Sequence, residues 1–520
     1  DPWRNVLEPT AETEPLEKIR IAAARNSRAW YPLTVKNQSA REFLGQLKAF
    51  DRGPDYKFAQ EGTQGVARHF KAYEAIPADI GGGALSYDPF VPLAMGTLVR
   101  IAPTSLAALW LELDTHGLDA GRHFAVLVLK RERPGFPSVR IPVEVEVIDA
   151  DLEKVRFDKA SYDYLTKHTN KVALQKFLWN EGVNVVFTPA SRKEWAKKQK
   201  DGGWGEMEYD IVDSRIDARL AAGVPKNRLI VWYFLCVNYS WYGPRRVNGD
   251  VNAKLRDPDW APGVQATVRA LRDHLKAKYG FGYDQLIFYV LDEPDATKSV
   301  DDPELKNSMA QAYYAAKVIK QADPKLRTFT NPHARGPYAA DKLLKTLRRL
   351  EECFDIIEFF RPNLTPEMLA HTKDFKFEYW TYNIIGTTVS PTVYRGDVWR
   401  NLRDGFRPLT PFWHLDEMAG WDGFDPSDSS RAESRACTDY GSVYVDYDNG
   451  MALTSRRQTA YDMGCEEAKL VLFLREKFAG NAAKLAEVEA IVKAAADADK
   501  MTAYDNAHWK LLGLAKEEVK

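Results

Sequence analysis

The chain has 520 residues, room for two to four domains at roughly 150 residues each. Its 72 Lys and Arg balance 73 Asp and Glu, so it lacks the basic excess of a dedicated nucleic-acid binder. With 45% hydrophobic residues it reads as globular, and its longest apolar run, Leu229 to Val237, is far short of the about 20 residues of a membrane span.

Up to about residue 150 the pattern is one of strands. Ala107 to Leu113 and His123 to Leu129 flank a turn region from Gly117 to Gly121, and Arg140 to Val147 alternates apolar and charged residues. A period of two marks a sheet with one wet face, and short strands broken by Gly and Pro predict a β-sandwich over residues 1–150. No cluster of catalytic groups lies in it.

From 151 to 480 helical patterns alternate with short apolar strands. The strands run through Val183–Phe187, Leu229–Cys236, Leu286–Leu291, Thr328–Thr330, Phe354–Phe359, Phe375–Tyr382 and Leu409–Trp413, with an eighth expected near Val155-Arg156-Phe157. Strand–helix units repeated in one run predict a (β/α)8 barrel, and no Gly-rich phosphate loop favours a doubly wound sheet instead. A helical tail over 481–520, with Leu485, Val488, Val492 and Ala495 on one face, is expected to dock on that barrel. The fold class is therefore α/β: a sandwich, a barrel and C-terminal helices.

Four cysteines, Cys236, Cys353, Cys437 and Cys465, lie far apart without a CxxC pair, and His333, His371 and His414 are scattered without an HxH or HExxH motif. No metal site and no cofactor are expected.

In a barrel of this kind reactive groups sit at the C-terminal ends of strands. Leu291-Asp292-Glu293-Pro294 places adjacent carboxylates where the fourth barrel strand would stop. Neighbouring acids repel and each loses water on burial, so such a pair is costly unless it has a use. Adjacent strand residues point to different sides and cannot straddle a sugar as nucleophile and acid. They suit a hydrolysis in which the substrate's own 2-acetamido group attacks, Glu293 being acid/base and Asp292 the residue that orients and stabilises the acetamide. Other strand ends carry groups that stack on or hydrogen-bond to sugars, and Asn238, Trp241, Asn331, Trp380, Tyr382 and Trp413 are the expected substrate contacts.

This order of sandwich, barrel, Leu291-Asp292-Glu293-Pro294 and a late Ser455-x-Arg457-x6-Gly464 resembles glycoside hydrolase family 123 and its relatives, which are similar to family 20 hexosaminidases in mechanism. The resemblance implies release of β-linked N-acetylhexosamine, N-acetylgalactosamine in characterised members, with retention, and the same roles for Asp292 and Glu293. The late motif departs from the family at Gln458 and Thr459, and its end reads Glu467-Ala468-Lys469. Two alternatives use the same strand end. One is a retaining glycosidase with Glu293 as acid/base and Glu378 or Glu417 as nucleophile; the other is an inactive carbohydrate-binding barrel. The expected partner is a glycan or glycoconjugate, with no nucleic acid and no membrane span. The chain opens Asp1-Pro2-Trp3, as a processed chain would, and such substrates lie outside the cytoplasm, so a secreted or periplasmic location is expected.

Overall fold

The computed structural model describes residues 3, 16–57, 65–79, 85–131, 138–161, 172–190, 194–205, 207–235, 255–383, 390–406, 409–411, 442–446 and 451–517. The N-terminal part holds two sheets. In the first, β1 (Ile19–Arg25) lies parallel to β9 (Val139–Asp151), and β8 (Gly121–Arg131), β3 (Phe43–Arg52) and β6 (Leu98–Ile101) continue antiparallel. The second runs β2 (Arg28–Lys36), β7 (Leu106–Asp114), β4 (Phe70–Asp79) and β5 (Leu85–Leu93), all antiparallel. Alternate residues of both sheets fill one apolar core: Val143, Val145 and Val147 from β9 meet Leu109, Leu111 and Leu113 from β7. The opposite face is only partly wet. Ala22, Ala24, Ile148 and Ala150 are covered by C-terminal helices, and Lys516 reaches Glu146 at 2.7 Å.

Among the described residues the second half is built on seven parallel strands in chain order: β10 (Val185–Pro189), β11 (Ile230–Phe234), β12 (Leu286–Tyr289), β13 (Arg327–Thr330), β14 (Ile356–Phe360), β15 (Glu378–Asn383) and β16 (Leu409–Pro411). Their period of two splits each strand between two cores. Val186, Val231, Phe288 and Phe359 pack under surrounding helices. Val185, Phe187, Ile230, Trp232, Ile287, Tyr289, Phe329, Ile356 and Trp380 pack against one another on the other face. Trp232 on β11 touches Trp380 on β15 at 6.0 Å between ring centroids, so the sheet is curled and this second face is concave.

The closed eight-stranded barrel expected from the sequence is seen only in part. Among the described residues β10 and β16 do not pair, and residues 155–161 form no strand. That segment crosses the start of β10 at one residue. Lys159 donates its N–H to Asn184 Oδ1 (2.8 Å), and its carbonyl accepts from the N–H groups of Asn184 and Val185. The Lys159 ammonium reaches Asp462 and the Glu181 carbonyl (2.7 Å). Among the described residues Asp292 consequently follows the third of seven strands. The helix that follows β12 starts at Ser308, after Asp302-Pro303. The Asp302 carboxylate accepts from the N–H groups of Glu304 and Lys306, and Asn307 caps the helix.

The late motif is architectural. Ser455 caps the helix Arg456–Lys477, accepting from the Gln458 N–H at 3.0 Å. Arg457 pairs with Asp88 on β5 (2.8 Å) and donates to the Tyr394 hydroxyl (3.1 Å). A side chain at Gly464 would meet Val398 at 3.0 Å, so glycine sets the closest approach of this helix to the helix Pro391–Asp404. The tail helices Ala482–Ala498 and Met501–Lys516 pack on these two helices and on β1 and β9 rather than on the curled sheet. Among the described residues no helix is long and apolar enough to cross a membrane.

Arg457 and Asp88 are each at most 2% exposed. Replacing Arg457 by Met strands the Asp88 charge out of water, and a loss of about 3–5 kcal/mol is expected in chemical denaturation. Replacing Asp88 by Asn in the same chain should recover part of it.

Candidate active site

β12 continues as Val290 and Leu291, both fully buried, before the chain reaches Asp292 at the rim of the concave face. A charge is costly inside a packed layer, and the acids stand where the chain leaves it. Glu293 then takes φ +44°, a left-handed conformation that a side chain with a Cβ rarely adopts. This turn breaks the strand alternation and lets two adjacent carboxyl groups engage different neighbours.

Asp292 is held from its own strand and the next. Oδ1 accepts from the Tyr289 hydroxyl and from Asn331 Nδ2 (3.1 Å). Glu293 is held along the mouth. Its Oε1 accepts from the Tyr382 hydroxyl at the end of β15 (2.5 Å), and His333 Nδ1 lies 3.7 Å away and 3.2 Å from the same hydroxyl. Asn331 bridges the two acids, since its Oδ1 accepts the Glu293 N–H (2.9 Å). His333 is fixed by backbone bonds to Pro294 and Ala296, and its ring packs on Phe360, which packs on Tyr382.

Burial, opposed by the Tyr382 hydrogen bond and reinforced by the charge of Asp292, raises the Glu293 pKa above the ordinary glutamate value. His333 pulls the other way and does not cancel it. Glu293 therefore keeps its proton to higher pH than a solvated carboxyl, as a general acid requires. The Tyr382 hydroxyl is pushed upward by burial and by Glu293, so it stays a donor.

Of the residues expected to touch substrate, Asn331 and Tyr382 join the carboxyl pair, but both are at most 1% exposed and sit behind the acids as their supports. Trp380 is not at the mouth. Two residues below Tyr382 on the same face, it is 1% exposed, packs against Trp232 and Phe329, and donates Nε1–H to Glu378 Oε1 at 2.8 Å. Its bulk fills the curled sheet, so it is a packing residue. Asn238, Trp241 and Trp413 lie outside the described residues, as does Glu417. Tyr289 was missed. It sits inside a wholly apolar run, stacked on Trp232 at 5.1 Å, and its only sequence signal is a hydroxyl three residues before Asp292.

No family model matches the chain, and no curated protein does. Its fold is similar to that of a family 123 glycoside hydrolase from Clostridium perfringens studied for glycolipid glycan hydrolysis. The TM-score is 0.66 at 11% identity, over 96% of this chain and 94% of that one. A Bacteroides ovatus GH5 xyloglucanase aligns at TM-score 0.34 and 9% identity, over 86% of this chain and 98% of that one. The intracellular xylanase TsXylA of Thermoanaerobacterium saccharolyticum aligns at 0.33 and 12% identity, over 50% and 87%. The likeness to the first is one of fold, and the other two are distant.

Removing the Tyr382 hydroxyl tests the electrostatics without turnover. It takes away a bond that favours the charged carboxylate, so Tyr382→Phe should move the Glu293 titration further up, read by carbon NMR of the labelled carboxyl. The linkage has a fixed sign. A raised folded-state pKa contributes stability that is complete below the unfolded value and lost as pH rises through the folded one. Glu293→Gln should therefore gain on the wild type in melting temperature across that rise and run parallel to it on either side.

Proposed function

We propose that the chain is a glycoside hydrolase that releases β-linked N-acetylhexosamine, with N-acetylgalactosamine as the expected sugar, by substrate-assisted catalysis with retention. The observation that carries this reading is the split support of two adjacent acids: Asp292 on Tyr289 and Asn331, Glu293 on Tyr382 beside His333, with Glu293 shifted toward its protonated form by burial. Fold likeness to a family 123 glycoside hydrolase agrees with it.

In the first step Glu293 gives its proton to the glycosidic oxygen as the bond to C1 breaks. The acetamide carbonyl oxygen closes on C1 from the opposite face, while Asp292 accepts the acetamide N–H and offsets the charge of the forming oxazolinium. In the second step Glu293, now a carboxylate, takes a proton from water as that water opens the ring at C1. Two inversions leave the configuration retained, and no sugar–enzyme bond forms. Asn331 and Tyr382 act through the two carboxyl groups as positioning residues.

The rival arrangement needs a second carboxylate across the sugar. Glu378 is a poor candidate: it lies four residues, about 13 Å of strand, below Tyr382, and it is tied to Arg327 at 2.7 Å and to Trp380. A secreted or periplasmic location, with the catalytic unit over 151–480, belongs to the same proposal.

Asp292→Asn should slow every N-acetylhexosaminide by about 10²–10³-fold whatever its leaving group. Glu293→Gln should slow substrates with poor leaving groups by about 10²–10⁴-fold and spare activated aryl glycosides. An N-acetyl-sugar thiazoline, a stable mimic of the cyclised intermediate, should inhibit the wild type competitively. Labelling of a Glu peptide by a fluorosugar would favour the rival instead.

A further inference from the structure

Glu293 also lines a cavity of about 430 Å³ that runs outward from the sheet along the loop after β13. Its walls include Asp295, Thr297, His333, Arg335, Tyr338 and Lys342, and they do not include Asp292. If Glu293 is the acid, as proposed above, the departing oxygen lies beside it. A cavity that meets the acid and misses the acetamide-orienting residue is then on the leaving-group side of the cleaved bond.

The charge of this cavity is unusual for its position beside two carboxyl groups. Arg335 and Lys342 both line it and are exposed, and among the described residues neither side chain has a hydrogen bond or ion pair. Elsewhere on this chain cations are commonly matched: Lys317, Lys320, Arg327 and Arg349, on neighbouring elements, each have a carboxylate partner. Among the described residues the one further carboxylate in the wall, Asp295, is folded back on the N–H and hydroxyl of Thr297, at 2.9 and 2.6 Å. With Glu293 protonated the described wall is net positive.

The loop that carries Arg335 is preorganised. Asn363 Nδ2 donates to the Ala334 carbonyl (2.7 Å), the Tyr338 hydroxyl donates to the Pro332 carbonyl (2.7 Å), and the Tyr338 N–H donates to the Asn363 carbonyl (3.0 Å). Lys342 stands in the first turn of the helix Ala340–Leu350. A guanidinium and an ammonium presented on fixed backbone toward one cavity are the donors that recognise a carboxylate or a sulfate ester.

We infer that this cavity is a leaving-group subsite for an anionic sugar, so that the preferred substrate is an N-acetylhexosaminide linked to a residue bearing a carboxylate or sulfate. Arg335 and Lys342 determine that preference and take no part in bond cleavage.

The test compares wild type and the Arg335→Ala/Lys342→Ala double variant on three β-N-acetylhexosaminides, whose leaving sugars are glucose, glucuronic acid and 6-sulfoglucose. An aryl N-acetylhexosaminide serves as the control without a leaving sugar. The wild type should favour one or both anionic leaving sugars over glucose by about tenfold in kcat/KM, the scale of one charge-assisted contact. That preference should shrink with added NaCl. The double variant should lose it while its aryl rate and melting temperature stay unchanged. A preference for only one of the two identifies the anion. Equal kcat/KM for glucose and both anionic leaving sugars in the wild type overturns the inference. Failure of the aryl control would instead count against the hydrolase reading. In that event NMR titration with methyl glucuronide and methyl 6-sulfoglucoside at low salt decides the subsite alone, since binding by wild type and not by the double variant supports it and no binding overturns it.

Discussion

The arrangement rests on three ion pairs that leave one buried helix. Along Arg456–Lys477, Arg457 pairs with Asp88, Asp462 with Lys159, and Glu467 with Arg395, and every one of these side chains is at most 3% exposed. The three helix positions are five residues apart, which at about 100° per residue turns each pair by about 140° from the last. The pairs therefore point outward in three directions: to β5 of the N-terminal sheets, to the segment entering β10, and to the helix Pro391–Asp404. Charges with no access to water hold their partners closely, because separating them costs far more than it would at a surface. A helix that is largely buried over Arg456–Ala468 and ion-paired at those three positions works as a pin through the molecule.

That pin explains why the concave sheet can lack a complete ring among the described residues and still present a defined mouth. Lys159 is paired with Asp462, which ties the segment at 155–161 to the pin. Ala160 beside it is fully buried and closes the concave cluster with a methyl group. At the other end of the strands the acids sit on a second fixed frame, Asn331 and Tyr382, whose side chains are themselves wrapped by neighbours. Rigidity at the mouth is set from below, by packing, and from beside, by hydrogen bonds.

How much of this was legible depends on whether the signal is local. The parallel strands were readable because short apolar or aromatic stretches alternate with helical patterns, and the acids because two charges end the most apolar of them abruptly. Trp380 was misread because strand position alone does not say how far up the wall a ring sits; its depth is fixed by Glu378 two residues before it, which bonds its indole. Val155-Arg156-Phe157, expected as an eighth strand, joins no ladder, and Lys159 just beyond it is paired with Asp462, some three hundred residues away. Nothing nearby in sequence announces the partners of the buried charges on the helix Arg456–Lys477. Tyr289 was hidden by its apolar company.

The left-handed backbone at Glu293 carries a consequence for how the chain tolerates change. A residue with a Cβ held there costs on the order of 1 kcal/mol or more, and glycine would relieve it. The most stabilising exchange open to that position is thus one that deletes the acid. Selection for heat resistance alone, in a library screened without substrate, would drift toward a sturdier and inert protein, and the glutamate would persist only where its chemistry is under selection.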